Sequence, residues 1–303
     1  SLYNSYGRVE STSLWGISLS GSFIYWKPEE KGLDIGATYP TDSSQTGHVL
    51  NLNYRYKPGF KLGLGFSPTY DHWKIDLGYV RFHTHQHHSS STSNLYGNWL
   101  ETPFASTKQK GFWHLDMDLI NIALGRPFYV GKALIFLPTF GFIGGWIDQN
   151  YRVEYSDEEN NNDWVTSHNH SDSWLLGPAF GLETRWLLGY GFRIFGNGNF
   201  SLFFQHFKTR IEQEDRNIGG NIAVNQHDER SSLIPNLNLA LGFGWGTYIG
   251  KWTHFDLQLG YEFLLYWKQN MIRYLNDAQK TQTDPKAGEL YIQGLTLTAT
   301  FDF

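Results

Sequence analysis

The chain has 303 residues and a net charge of -5, with an isoelectric point near 6.2, a balance that argues against nucleic acid as a partner. Mean hydropathy is -0.42, and no stretch reaches the ~18–20 consecutive apolar residues of a transmembrane helix. The absence of cysteine rules out disulfides and thiolate metal sites. An aromatic content of 17% fits a large all-β protein, soluble or membrane-spanning.

Residues 1–14 lack a basic segment followed by an apolar one. They read as the periplasmic N-terminal segment of a mature exported chain. Alternation of apolar and polar residues, the period of a β-strand, begins weakly at 15–28 and becomes strict from 48 to 67. There Leu50, Leu52, Tyr54, Tyr56, Pro58, Phe60, Leu62, Leu64 and Phe66 share one parity. The unbroken phase through Pro58-Gly59 predicts one long strand. Further rows lie at 73–85, 112–126, 134–149, 174–186, 192–208, 233–245 and 255–267. The closing segment 294–303 places Leu295, Leu297, Ala299, Phe301 and Phe303 on one face. Ending on this row resembles the signal by which outer-membrane barrels are inserted. Phe301 and Phe303 are its candidates, and the barrel-assembly machinery is the partner it implies.

Together these rows predict an all-β, antiparallel, up-and-down transmembrane barrel over 15–303. About ten strands are expected, or twelve if 48–67 splits and 32–39 adds one. Segments 68–72, 127–132, 188–191 and 247–252 are short and carry Gly or Pro, whereas 29–47, 86–111, 150–172, 211–231 and 269–289 are long and polar. A barrel inserted from the periplasm keeps its short turns there and its long loops outside. Tryptophan adds an independent sign. From Trp174 to Trp186 a tilted strand rises roughly 30 Å, about the height of the apolar band with its interfaces. Trp73, Trp186 and Trp245 are expected in the periplasmic girdle, and Trp113, Trp146, Trp174 and Trp267 in the outer one. Membrane lipid and lipopolysaccharide are then the surrounding partners.

Segments 23–33, 54–66, 71–84, 119–155 and 290–303, in that order, resemble the Legionella-type major outer membrane protein family. That family includes porin-like proteins of chlamydia-related bacteria. The resemblance implies a pore-forming barrel of the bacterial outer membrane, without catalytic residues or cofactors. The family pattern often has basic residues at the positions of Leu137 and Ile143; here both are apolar, which departs from any inherited anion preference.

The polar parity supplies the expected pore lining. Its cations are Arg55, Lys57, Lys61, Lys74, Arg185 and Arg193; its anions are Asp76, Asp116, Asp118, Glu183, Asp256 and Glu262. Such a lumen is nearly neutral and suits passive diffusion of small hydrophilic solutes or ions. The alternative is a plugged barrel serving as adhesin or scaffold. His83, His85, His87, His88, His168 and His170 lack the fixed spacing of a metal site, and the acidic run 157–163 lacks the EF-hand order, so no metal is expected. Rim residues His114, Asp116, Asp148, His170, Asp172, His206 and His254 would serve a hydrolase. No spacing certifies a base with its orienting carboxylate, and the expectation is a protein that is not an enzyme.

Overall fold

A computed structural model describes residues 15–38, 48–68, 73–97, 99, 105–157, 163–215, 221–250, 253–272 and 288–303. The expected N-terminal segment 1–14 and the acidic stretch 158–162 lie outside the described residues. Thirteen strands occur among them: β1 (Trp15–Glu30), β2 (Gly36–Thr38), β3 (Val49–Leu50), β4 (Lys57–Pro68), β5 (Lys74–Gly97), β6 (Ala105–Gly125), β7 (Phe128–Val130), β8 (Leu134–Asp157), β9 (Asp163–Gly189), β10 (Phe192–Asp215), β11 (Asn221–Ile249), β12 (Thr253–Asn270) and β13 (Gly288–Asp302). All pairings are antiparallel. Ten strands close a barrel in the order β1-β4-β5-β6-β8-β9-β10-β11-β12-β13, and β13 returns to β1 over Ser18–Glu30. Closure removes the unpaired sheet edges that hydrocarbon does not tolerate.

The turns at one end are tight. Between β9 and β10, Tyr190 and Gly191 take φ of 52° and 83°. This is the left-handed pair of a two-residue hairpin turn, whose twist matches that of the strands it joins. At the other end the strands themselves are long. β8, β9, β10 and β11 have 24 to 29 residues, against the roughly 9–11 needed to cross an outer membrane. Much of 86–111, 150–172 and 211–231, expected as loops, is therefore ladder. β5 pairs with β6 up to Tyr96↔Ala105, and β8 with β9 up to Asp157↔Asp163. The barrel wall continues well past the apolar belt.

That belt faces outward and includes Leu19, Phe23, Leu62, Leu77, Ile122, Phe142, Leu176, Phe180, Leu202, Leu241, Leu259 and Leu297, all exposed. Trp73, Trp146, Trp174, Trp186 and Trp245 are exposed with it, and Trp267 is half-buried on the outward row. Phe301 and Phe303 extend the row, both exposed. Trp113 departs from the expectation. It is fully buried inside the barrel, where its indole Nε1 donates to Gln149 Oε1 at 3.1 Å.

The 48–67 row is also not one strand. Only Lys57–Pro68 joins the wall, whereas 51–56 is irregular. Leu52 is buried in the interior cluster and Tyr54 packs against it, while Phe60, Leu62 and Leu64 face outward. Residues 31–35 likewise turn inside, after which β2 rejoins the sheet along β5, with Gly36 opposite Gly97. Tyr151 Oη, Trp99 Nε1 and Tyr155 Oη donate to the carbonyls of Leu33, Asp34 and Ile35 at 3.0, 2.6 and 2.6 Å. Asn270 Nδ2 donates to Lys31 O at 2.9 Å. Backbone that leaves a sheet and enters an apolar interior needs such partners.

The two ends can be assigned by labelling. Tyr190 is fully exposed at a short turn, and His227 is exposed on the far extension of β11. His227→Cys should react with a membrane-impermeant maleimide on intact cells, and Tyr190→Cys only after lysis. Reaction at both sites on intact cells would refute the orientation.

Candidate functional site: a charged vestibule beneath an apolar seal

The inward face changes character along the barrel axis. On β1, Ser18, Ser20 and Ser22 are followed by Ile24 and Trp26, both fully buried. The short-turn half encloses an open cavity of ≈ 1780 Å³ that these serines line together with Asn121, Asn197, Gln258, Thr298 and Thr300. Its mouth is formed by Trp73, Tyr129, Lys132, Tyr190 and Tyr248, residues of the short-turn end. The vestibule opens at the short-turn end of the barrel.

Seven of the twelve expected lining charges reach the cavity: Lys61, Lys74, Asp76, Glu183, Arg185, Arg193 and Asp256. They are bound in pairs. Lys74 Nζ lies 2.9 Å from Asp76, Arg193 Nη1 lies 2.5 Å from Asp256 Oδ2, and Arg185 pairs with Glu183. Glu262 sits at the cavity's inner end. Its carboxylate accepts from Lys61 Nζ at 2.6 Å, and Lys61 lies 4.7 Å from the ring centre of buried Trp26. His254 and Asp302, missing from the expected lining, form another pair at 3.0 Å and line the cavity. Both fall on the polar parity of their strands, which is the signal that could have found them.

Glycine makes room for these pairs. A Cβ on Gly244 would lie 2.9 Å from Arg193 Cζ, and one on Gly246 would lie 3.0 Å from Asp256 Oδ2. The Arg193–Asp256 pair thus lies flat against bare β11 backbone.

The other expected lining residues are elsewhere. Asp116 and Asp118 point outward, because Trp113, Leu115, Met117 and Leu119 take the inward positions of β6. On the outer wall Asp118 accepts from Tyr79 Oη at 2.5 Å and meets His83 Nε2 at 2.6 Å, while His83 Nδ1 is 3.4 Å from Asp116. Arg55 is exposed in the irregular segment before β4, held by its backbone to the Gln86 amide. Lys57 begins β4 opposite Trp26 and does not line the cavity.

Beyond the vestibule the lumen is sealed. Every barrel strand except β4 supplies a side chain at most 5% exposed: Ile24, Phe82, Met117, Ile147, Leu175, Phe203, Ile234, Leu264 and Ile292. Tyr266 Oη reaches Met117 Sδ at 3.7 Å, although β12 and β6 stand five strands apart around a ring of ten. One contact therefore crosses the whole lumen. Above it Leu33, Ile35 and Leu52 join the same apolar cluster as Trp113, Tyr151 and Tyr155. Within this dry zone Glu30 Oε1 accepts from Gln149 Nε2 at 3.2 Å, and burial pushes the Glu30 carboxyl up to about 8.

The chain is similar to solved structures at low identity. The Escherichia coli outer membrane protease OmpT shares 10% identity over 99% of both chains, with a TM-score of 0.47. The Pseudomonas putida toluene transporter TodX shares 9% identity over 95% of this chain and 89% of its own, at a TM-score of 0.38. The attachment invasion locus protein Ail of Yersinia pestis shares 11% identity over 95% and 98%, at 0.26. No curated protein matches the chain in sequence. The family model described as Legionella pneumophila major outer membrane protein precursor matches residues 10–303. With its closed barrel and lipid-facing belt, the chain is an outer-membrane protein and belongs to the Legionella major outer membrane protein family.

Proposed function

We propose that the protein is a porin-like channel for small hydrophilic solutes that is closed at rest. The observation that carries this reading is the union of two features in one lumen. A wide polar vestibule ends on an apolar seal, and part of that seal is supplied by 31–35 and 51–56, chain that lies outside the strands of the wall. The vestibule is polar, charged and open at its short-turn end, as a solute path requires. The vestibule, its mouth and its inner end hold five cations, Lys61, Lys74, Lys132, Arg185 and Arg193, against five carboxylates, Asp76, Glu183, Asp256, Glu262 and Asp302. Near-balance and pairing support weak discrimination between cations and anions. Surrounding lipopolysaccharide, and delivery by the assembly machinery through Phe301 and Phe303, belong to the same proposal.

A second reading, a closed surface scaffold or adhesin, is favoured by the completeness of the seal and by the wall that continues beyond the membrane. Conductance separates the two. The wild type in planar bilayers should be silent for most of the record, with brief openings of little K⁺/Cl⁻ bias. Met117→Ala combined with Tyr266→Ala removes the contact across the lumen. Losing buried contacts of this size costs roughly 2–5 kcal/mol, enough to raise the open fraction by more than about tenfold. If the double variant, shown to be folded, also never conducts, solute passage is rejected and the scaffold reading stands.

A further inference from the structure

His206, one of the rim residues of the sequence, has company on the outer wall that the lumen does not explain. Its row on β10 faces outward, and it pairs in register with Trp174 of β9 on one side and Ser231 of β11 on the other. His206 Nδ1 lies 3.0 Å from Ser231 Oγ, and its Nε2 lies 4.0 Å from Glu229 Oε2, two residues further along β11. A hydroxyl, an imidazole and a carboxylate therefore stand in line, in the order of nucleophile, base and orienting acid. His206 Nδ1 is within hydrogen-bond reach of the Ser231 hydroxyl and can take its proton, and Glu229 stands 4.0 Å beyond Nε2, with Lys208 Nζ 3.5 Å from its other oxygen.

We propose that Ser231, His206 and Glu229 form an ester-hydrolysing site that acts on acyl esters of outer-leaflet lipids. The position selects the substrate. One step toward the membrane on the same outward rows are Phe204, Leu233 and Leu176, all exposed, while exposed Trp174, level with His206, packs 6.2 Å from its ring. One step away are Lys208 and Glu229. The constellation thus sits where acyl chains end and polar groups begin, the depth of a lipid's ester linkages.

The chemistry closes with water as the only co-reactant. Ser231 Oγ attacks the ester carbonyl carbon and its proton passes to His206. The bond from the carbonyl carbon to the alcohol oxygen breaks, and the alcohol leaves with that proton. Water, deprotonated by His206, then cleaves the acyl-serine and releases the fatty acid. Among the described residues β12 pairs with β11 from Asn236 onward.

Ser231 and His206 are the catalytic residues, and Glu229 is a positioning residue. The test uses the whole barrel refolded in detergent, with an alkyl fluorophosphonate as probe. Wild type should be labelled at Ser231, located by peptide mass spectrometry, and Ser231→Ala should not. Reconstituted into vesicles of phosphatidylethanolamine or of lipopolysaccharide, the wild type should release fatty acid from one of them, which identifies the lipid. Ser231→Ala and His206→Asn should lose about 10³-fold or more of that release. Glu229→Gln should lower the turnover rate roughly tenfold at an unchanged KM, a split that a structural role would not produce. All three positions face outward, so folding should survive, with heat-dependent gel mobility as the check. Absence of labelling at Ser231 overturns the proposal, and so does labelling without fatty-acid release from either lipid.

Discussion

Replacing Asp256 by Ala should lower the barrel's unfolding free energy by about 3–5 kcal/mol, because it strands a guanidinium already out of water. Arg193 and Asp256 side chains are only 8% and 6% exposed, and they meet through two contacts of 2.5 Å. Arg193 Nε has no other partner among the described residues. The glycines of β11 hold the pair against the wall, which leaves little room for the abandoned Arg193 to turn toward water. The Lys74–Asp76 pair supplies the contrast. Its side chains are about one-third exposed, 31% and 34%, so Asp76→Ala should cost no more than about 1 kcal/mol. Adding Arg193→Met to Asp256→Ala should recover much of the loss, since an apolar side chain needs no counter-charge. Guanidinium unfolding of the reconstituted barrel, followed by tryptophan fluorescence, measures all three. Equal losses for Asp76→Ala and Asp256→Ala would show that burial does not govern these pairs.

The barrel was legible in the sequence because lipid and water impose opposite chemistry on alternate residues. Rows such as Trp174 to Trp186 and Leu233 to Trp245 report the outward face correctly where the wall meets hydrocarbon. The same logic fails beyond the outer girdle, and for one physical reason. There the outside is water and the inside is an apolar cluster, so the polarity of the two faces exchanges while the strand runs on. β6 shows the exchange within one strand. Ile120, Ile122 and Leu124 are apolar and outward, whereas at the far end Asp116 and His114 are outward and Trp113, Leu115 and Met117 are inward. A single parity assigned to the whole strand turns Asp116 and Asp118 into lining residues and Trp113 into a girdle residue.

The row from 48 to 67 misleads in the complementary way. Leu50, Leu52 and Tyr54 are apolar because they join the internal seal, and Phe60, Leu62 and Leu64 because they face lipid. Two causes gave one uninterrupted pattern. The vestibule charges were readable because they lie on strands whose outward row contacts lipid. The carbonyl contacts that hold 31–35 inside join residues more than 60 apart, which no local period encodes.

Glu30 gives the seal a dependence on pH whose sign follows from its surroundings. It lies beyond the apolar belt, 3% exposed, with Gln149 donating to one carboxyl oxygen and no partner for the other among the described residues. Burial disfavours its ionised form and outweighs the Gln149 hydrogen bond, so its pKa rises from 4.5 to about 8. Between these values the folded chain holds a proton that the unfolded chain has released. Stability must therefore fall as pH rises through that window, by on the order of 4–5 kcal/mol from this group. Glu30→Gln keeps the shape and cannot ionise, so its unfolding midpoint should be nearly flat from pH 5 to 9 and should exceed that of the wild type at pH 9. Because Glu30 bonds to Gln149 and Gln149 accepts from Trp113, ionisation loosens the seal where β1 faces β8. Openings of the wild type in bilayers should then become more frequent above pH 8, and those of Glu30→Gln should not. Parallel midpoints for the two proteins across this range would remove Glu30 from the control of the seal.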